Sequence, residues 1–305
     1  MTICTTLASY IDKIPTIRES IPKSPFDSQW LTLERGTIRY IRTGNKKAKE
    51  TVILMPDPPN TIEHMEKLIN LLKPNFQVIA FEGIGFGFSS ASFSYDFSLE
   101  HNAEVIIEVL NKLNIKQAIL ALTCVSALSG LLVANRHPDI ISGLVFGQTP
   151  SLSEAKKWAT RVDFKGIIAT PFIGQIILKL LKKKVSDVWF KNALAKGSDR
   201  NIYLEKTLTS FRQGARFSLA SGLQALHASK TINSKLQAQQ KAIILWGNLD
   251  RSHKKTNKQD LLKLLPNGKI VELDNCAHFP DIEAPIEFAN AVIEVSEINV
   301  SHKLT

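Results

Sequence analysis

Three residues of different types each follow the end of an apolar run, and together they could cleave an acyl bond: Cys124, Asp250 and His278. Cys124 lies in Leu122-Thr123-Cys124-Val125-Ser126, after a strand-like run and ahead of a helical one. A nucleophile on such a sharp turn is held exposed, and the helix N-terminus beneath it favours negative charge and lowers a thiol pKa. The turn is crowded, so small residues are wanted two places before and two after; Ser126 meets this requirement and Leu122 does not. Ser126 is a rival nucleophile, but it sits two residues late for the helix that follows and has Leu128 two places after it. Asp250 closes Trp246-Gly247-Asn248-Leu249-Asp250, a strand end that runs into a carboxylate. His278 lies in Asn275-Cys276-Ala277-His278-Phe279-Pro280, just after the last apolar run. In such a set the thiolate attacks, the imidazole takes the thiol proton and later returns it to the leaving group, and the carboxylate orients the imidazole. The competing readings are a buried, inert Cys124, a turn-forming Asp250 and a surface His278.

Positioning these residues requires a sheet whose strands all end on one side. Strand-like and helix-like segments alternate along the chain, the pattern of a largely parallel sheet covered by helices. Residues Trp30 to Arg42 read as two strands about Arg35-Gly36. Short apolar runs at Thr51–Met55, Gln77–Phe81, Gln117–Leu122, Gly143–Phe146, Ala242–Trp246 and Lys269–Leu273 read as buried parallel strands. Leu99–Leu113 and Pro285–Val295 carry apolar residues at helical spacing. The alternation stops after Pro150 and resumes at Ala242; the segment between is helix-prone, with no strand pair in it. The expected architecture is an α/β core of residues 1–150 and 241–305, with a mostly parallel eight-stranded sheet. A helical cap of residues 151–240 is inserted over the sheet's C-terminal edge, where open α/β sheets place their active sites.

The charge follows the same division. The chain carries a net charge of +10, and residues 151–240 hold 16 Lys+Arg against 5 Asp+Glu, so the remainder is nearly neutral. Within that segment, Gln175 to Lys184 sets Lys179, Lys182, Lys183 and Lys184 beside apolar residues. This run is either a solvated helix packed on the core or a docking surface for an acidic acyl carrier protein, coenzyme A phosphates or an anionic membrane. No nucleic-acid-binding motif accompanies the charge.

The 305 residues, 44% hydrophobic, are enough for one large core or a core with an insertion. The first residues, MTICTTLASYIDKIP, lack a basic start followed by an apolar run and do not read as a signal peptide. The most apolar stretch, Gly166–Leu181, is interrupted by Pro171, Gly174 and Lys179 and is short of the ~20 residues that span a bilayer. The three cysteines, Cys4, Cys124 and Cys276, are odd in number and read as free thiols in a reducing compartment. A cytoplasmic protein is expected. The seven histidines are scattered and no CxxC occurs, so neither a metal nor a cofactor is expected.

Nucleophile, acid and histidine follow one another in the order expected of an α/β-hydrolase. The chain resembles that superfamily from about Trp30 to Val295, and most of all its haloalkane dehalogenase and epoxide hydrolase branch. The stretch VIAFEGIGFGFSSASFSYDFSLEHNAEVIIEVLNKLNIKQAILAL is similar to the dehalogenase pattern of a strand, DxxGxGxS and a long helix. LLVANRHPDIISGLVF, IILWGNLD and DNCAHFPDIEAPIEFANAV match the regions after the nucleophile, around the acid and around the histidine. Counting back from His137-Pro138, the family's nucleophile falls on Cys124. The family pattern there is Asp-Trp-Gly, against Cys124-Val125-Ser126, and its His-Gly-x-Pro is replaced by Met55-Pro56-Asp57-Pro58. The resemblance places the oxyanion hole at the backbone amides of Asp57 and Val125, since Pro58 and Pro59 have no N–H. An ionised Asp57 repels a halide, and the cap offers a single tyrosine, Tyr203, so neither dehalogenation nor epoxide opening is expected. Cys276 is expected to pack behind the site and Glu82 to fix a loop.

The expected activity is hydrolysis, acyl transfer or cyclisation on an ester, thioester or lactone through Cys124, His278 and Asp250. The alternative is a catalytically degenerate α/β-hydrolase that binds a ligand or partner in the same pocket; Leu122, Pro56 and Asp57 favour it.

Overall fold

A computed structural model describes residues 2–14, 24–230 and 237–296, the side chain of Phe164 excepted. The chain opens with α1 (Ile3–Lys13) and a hairpin, β1 (Ser28–Leu33) and β2 (Gly36–Gly44). Then come β3 (Thr51–Met55), α2 (Glu66–Leu72), β4 (Gln77–Phe81) and two short strands, β5 (Phe86–Gly87) and β6 (Ser90–Ala91). They are followed by α3 (Leu99–Lys112), β7 (Ala118–Thr123), α4 (Cys124–Arg136) and β8 (Ile141–Gly147). The helical segment contains α5 (Leu152–Val162), α6 (Ile173–Ala193), α7 (Arg200–Arg212), β9 (Arg216–Phe217) and α8 (Leu219–Ala228). The chain returns through β10 (Lys241–Gly247), β11 (Gly268–Leu273), α9 (Pro280–Glu283) and α10 (Pro285–Val295).

The main sheet has nine strands, with eight in the order β1-β2-β4-β3-β7-β8-β10-β11 and β6 added against β2. From β4 to β11 the neighbours are parallel; β1, β2 and β4 pair antiparallel. β3 and β4 are buried at every residue, as continuous apolar runs covered by helices on both faces should be. The ninth strand, β6, is a two-residue addition too short to show in a periodicity.

The connections leave β3 in opposite directions, to β4 on one side and eventually to β7 on the other. The sheet therefore switches direction between β3 and β7, and the crevice beyond their C-terminal ends is where such sheets bind ligands. Met55 and Leu122 are paired across these strands, so Asp57 and Cys124 leave the sheet side by side.

The described residues of the segment 151–240 are largely helical, with one correction: β9 lies among them and pairs antiparallel with β5, Phe86 opposite Phe217. This contact stitches the helical segment to the loop after β4. Residues 231–236 lie outside the described residues. Helix α1 packs on α6 and α8, so the start of the chain sits with the helical segment and not with the sheet. No helix among the described residues is long and apolar enough to cross a membrane.

Candidate active site

Cys124 has φ 52, a left-handed conformation rare for a residue with a Cβ, between extended Thr123 and the first turn of α4. Holding it there stores roughly 1–3 kcal/mol of strain. The crowding expected of this turn is real, and Leu122 is accommodated from an unexpected direction. A Cβ on Gly130, two turns down α4, would meet Leu122 Cδ1 at 2.6 Å. Gly130 thus makes the room that a small residue at 122 would otherwise provide. A Cβ on Gly147 would likewise meet Thr123 Cγ2 at 2.7 Å. The rival Ser126 donates its hydroxyl to the Thr123 carbonyl at 2.6 Å, back into its own turn.

The acid is reached through Gly247, where a Cβ would stand 1.9 Å from the Ala277 carbonyl; only glycine lets the two loops approach. His278 Nδ1 lies 2.7 Å from Asp250 Oδ2. Asp250 also accepts from Gln148 Nε2 at 3.0 Å and from the Ser252 amide and hydroxyl at 2.8 and 2.7 Å. Burial pushes the Asp250 carboxyl up, but His278 and Ser252 outweigh it and hold it well below the usual carboxylate range.

A second carboxylate occupies the other side of the imidazole. Asp57 Oδ2 stands 3.4 Å from His278 Nε2, an ion-pair contact without the alignment of a hydrogen bond. Asp57, Cys124 and His278 each bring one polar atom within 4.8 Å of the others. Burial raises the Asp57 carboxyl, opposed by His278 and Cys124. Burial alone would lower the His278 pKa, yet Asp250 and then Asp57 raise it well above that of free imidazole. Burial and the Asp57 charge push the Cys124 thiol up to about 11. The imidazole thus stands between two carboxyl groups that favour its protonated form, with the Cys124 thiol beside it. The trio could also ligate a divalent cation, as could Asp250, His253 and His278; both sets share His278, whose contacts already engage it.

The Val125 amide lies in the first turn of α4, where no intrahelical acceptor exists, and faces the Cys124 sulfur. Asp57 and Val125 both line the cavity described below. Cys276 is buried behind the site. Glu82 accepts the Phe88 amide at 2.6 Å and pairs with buried Arg39 at 3.0 Å, fixing the β5 turn. Of the four cap lysines, Lys179, Lys183 and Lys184 are exposed. Lys182 is not: its ammonium donates to the Ala215 carbonyl at 3.0 Å and lies 4.5 Å from the Phe211 ring centroid, so it leaves the proposed docking set.

Residues the sequence reasoning missed form the roof. Trp158 of α5 stacks over His278 with centroids 6.0 Å apart, and Trp189 of α6 meets it edge-on at 4.9 Å. His253 stacks on both Trp158 and His278; burial and the charge on His278 push it down to about 3, so it is neutral. Asp281 is buried with neither carboxylate oxygen hydrogen-bonded, and burial followed by Asp57 pushes it up to about 7. Nothing in the local sequence at these positions signals a site, because the helical segment brings the tryptophans over the sheet only in the folded chain. Beneath this roof a cavity of about 450 Å³ is lined by Tyr95, Phe97, Phe217 and Leu223, with Cys124, Asp57 and Val125 at its floor.

Solved structures share this arrangement of elements. The chain is similar to an enol-lactonase from Burkholderia xenovorans, with a TM-score of 0.66, 16% identity and coverage of 88% of this chain and 99% of that one. It is similar to a haloalkane dehalogenase loop variant from Bradyrhizobium elkanii, with a TM-score of 0.64, 17% identity and coverage of 88% and 95%. The chain has the α/β-hydrolase fold. Within that fold, the sequence is 23% identical over 285 residues to haloalkane dehalogenase 2 of Mycobacterium tuberculosis, covering 88% of this chain and 95% of the relative. The sequence matches no family model.

Proposed function

We propose that this α/β-hydrolase-fold protein is an enzyme that opens an ester, thioester or lactone through an acyl-Cys124 intermediate. The reading rests on one observation: Cys124 occupies a left-handed strand-to-helix turn with its thiol facing a histidine that Asp250 orients.

The two carboxyls on either side of His278 support the following roles. They favour a protonated His278, and in this reading Asp57 is the base that serves the thiol, a different assignment from the one the sequence pattern implies. Cys124 sulfur attacks the carbonyl carbon as its proton passes to Asp57, and the thiolate develops beside the imidazolium. Neutral Asp57 no longer repels the oxyanion, which takes the Asp57 and Val125 amides. Collapse expels the leaving group, protonated from His278 Nε2. Neutral His278 then deprotonates water or another acceptor, which attacks the thioester carbon. Expulsion of the sulfur returns the Asp57 proton to Cys124, and the site is restored. The apolar cavity favours an apolar acyl group or leaving group.

Intact-mass spectrometry during turnover of acyl N-acetylcysteamine thioesters tests this. The expected result is a mass increase of one acyl group, mapped to Cys124 by digestion. Acylation confined to Cys4, or none at all, would overturn it. A thiol pushed up to about 11 also favours a second reading, a ligand-binding protein with an unreactive Cys124; under it, ligands bind the cavity and no acyl adduct forms.

A further inference from the structure

Two neighbouring helices turn their apolar faces outward. On α1, Ile3, Leu7 and Tyr10, with Ile14 just beyond its end, fall on one stripe, and all four are exposed, Ile3 by 81%. The face of α1 turned to the protein carries Ala8, Ser9 and Lys13, and Asp12 accepts from Ser221 at 2.6 Å. On α6, which packs against α1, the exposed stripe is Ile173, Ile176 and Leu180, the last exposed by 76%. Exposed Phe93 extends the patch, its ring edge-on to Tyr10 at 5.6 Å. A surface helix ordinarily buries such a stripe, and an exposed patch of this kind marks a binding surface.

Cations border it. The α6 stripe continues into exposed Lys183 and Lys184. Lys179 and Arg216 lie close enough to Asp12 to lower its carboxyl against burial, and Arg216 donates to the Ile14 carbonyl at 3.0 Å. The cluster thus sits at the seam of the two helices.

We infer that α1 and α6 form an interfacial docking surface for an anionic lipid bilayer. Apolar stripes and bordering cations are the two ingredients of a helix that lies in the headgroup plane. A second copy of the chain would match the apolar stripes but oppose one cationic border with another. An acidic carrier protein would match the lysines and leave two helical stripes in water. The inference stands apart from the reading of Cys124. The surface adjoins the cavity, since α6 also contributes Val185, Val188 and Trp189 to its wall.

Vesicle co-sedimentation of the full chain tests it, with phosphatidylcholine vesicles against mixed phosphatidylglycerol–phosphatidylcholine vesicles over a salt series. Binding to the anionic vesicles is expected, about tenfold or more above that to the neutral ones at low salt and falling as salt rises. Leu7→Glu with Leu180→Glu should abolish it at all salt concentrations, with an unchanged melting temperature because both positions are exposed. Lys179→Glu with Lys183→Glu and Lys184→Glu should erase the preference for anionic lipid. Failure of the wild type to bind anionic vesicles, or equal binding by the Leu7→Glu/Leu180→Glu protein, would overturn it. So would self-association that this pair abolishes without any vesicle binding, which would assign the patch to a second copy. Binding to an acyl carrier protein through the same lysines, without vesicle binding, would assign it to a protein and likewise overturn it.

Discussion

Asp57 Oδ2 lies 3.4 Å from His278 Nε2, across the imidazole from Asp250. The contact places a second acid against the imidazole, and it changes what the histidine can do. Two flanking carboxyls favour the protonated imidazole, and in the proposed mechanism the thiol beside it uses another base. Asp57 reaches the same thiol and is buried enough for its basicity to rise.

Replacing Cys124 tests the nucleophile most directly. Cys124→Ala is expected to lower kcat/KM on an activated thioester by about a thousandfold or more, the scale on which removal of a nucleophile acts. Cys124→Ser should retain a trace, because its hydroxyl can reach the same base but ionises far less readily. Unchanged turnover in Cys124→Ala would remove this residue from the chemistry.

Asp57→Asn separates charge from chemistry. Asp57 raises the thiol pKa through its charge, so removing that charge should lower it and speed iodoacetamide alkylation of Cys124 near neutral pH. The same substitution removes the proposed base, so acylation by a thioester should slow by about a hundredfold or more. Alkylation and acylation moving in the same direction would show that Asp57 acts only through the thiol's charge environment.

Much of the frame that produces these contacts is legible in the sequence. The strands at Thr51–Met55 and Gln77–Phe81 fall at the expected residues, because runs buried on both faces are continuous and apolar. Helix Pro285–Val295 is bounded as its spacing implies. The strand ends that carry Cys124, Asp250 and His278 follow from the same alternation. Two-residue strands such as β9 leave no period to detect. The roof of Trp158 and Trp189 and the approach of Asp57 to His278 depend on how distant segments dock. The outward stripe of α1 has the spacing of an ordinary amphipathic helix; only the fold shows that it faces solvent.

The Leu122–Gly130 pair makes a packing prediction. Gly130→Ala should destabilise by about 1–3 kcal/mol, since its new Cβ would overlap Leu122 Cδ1. Leu122→Ala alone should cost about 2–5 kcal/mol through the cavity it leaves. The double variant restores a small residue beneath the turn and fills part of the gap, so its loss should be clearly smaller than the sum. Urea unfolding of the four proteins measures the coupling; strict additivity would show that the two side chains do not share this space.

Asp281 yields a pH prediction with a definite sign. Its carboxyl is fully buried, neither oxygen is hydrogen-bonded, and its pKa rises from 3.8 to about 7. A carboxyl raised in the folded state binds its proton more tightly there than in the unfolded chain, so ionisation opposes folding. Below the unfolded value of 3.8 the shift has no effect on stability. Stability is then lost progressively as pH rises toward about 7, and above that the full penalty is present, on the order of 4 kcal/mol. Asp281→Asn cannot ionise and escapes this loss, although its amide still lacks partners. The melting temperature of the variant relative to wild type should therefore climb between about pH 4 and pH 7 and level off beyond. Other titrating groups are common to both proteins and largely cancel in the difference. A difference that stays constant across this range would mean that Asp281 keeps the same protonation state in the folded and unfolded chain.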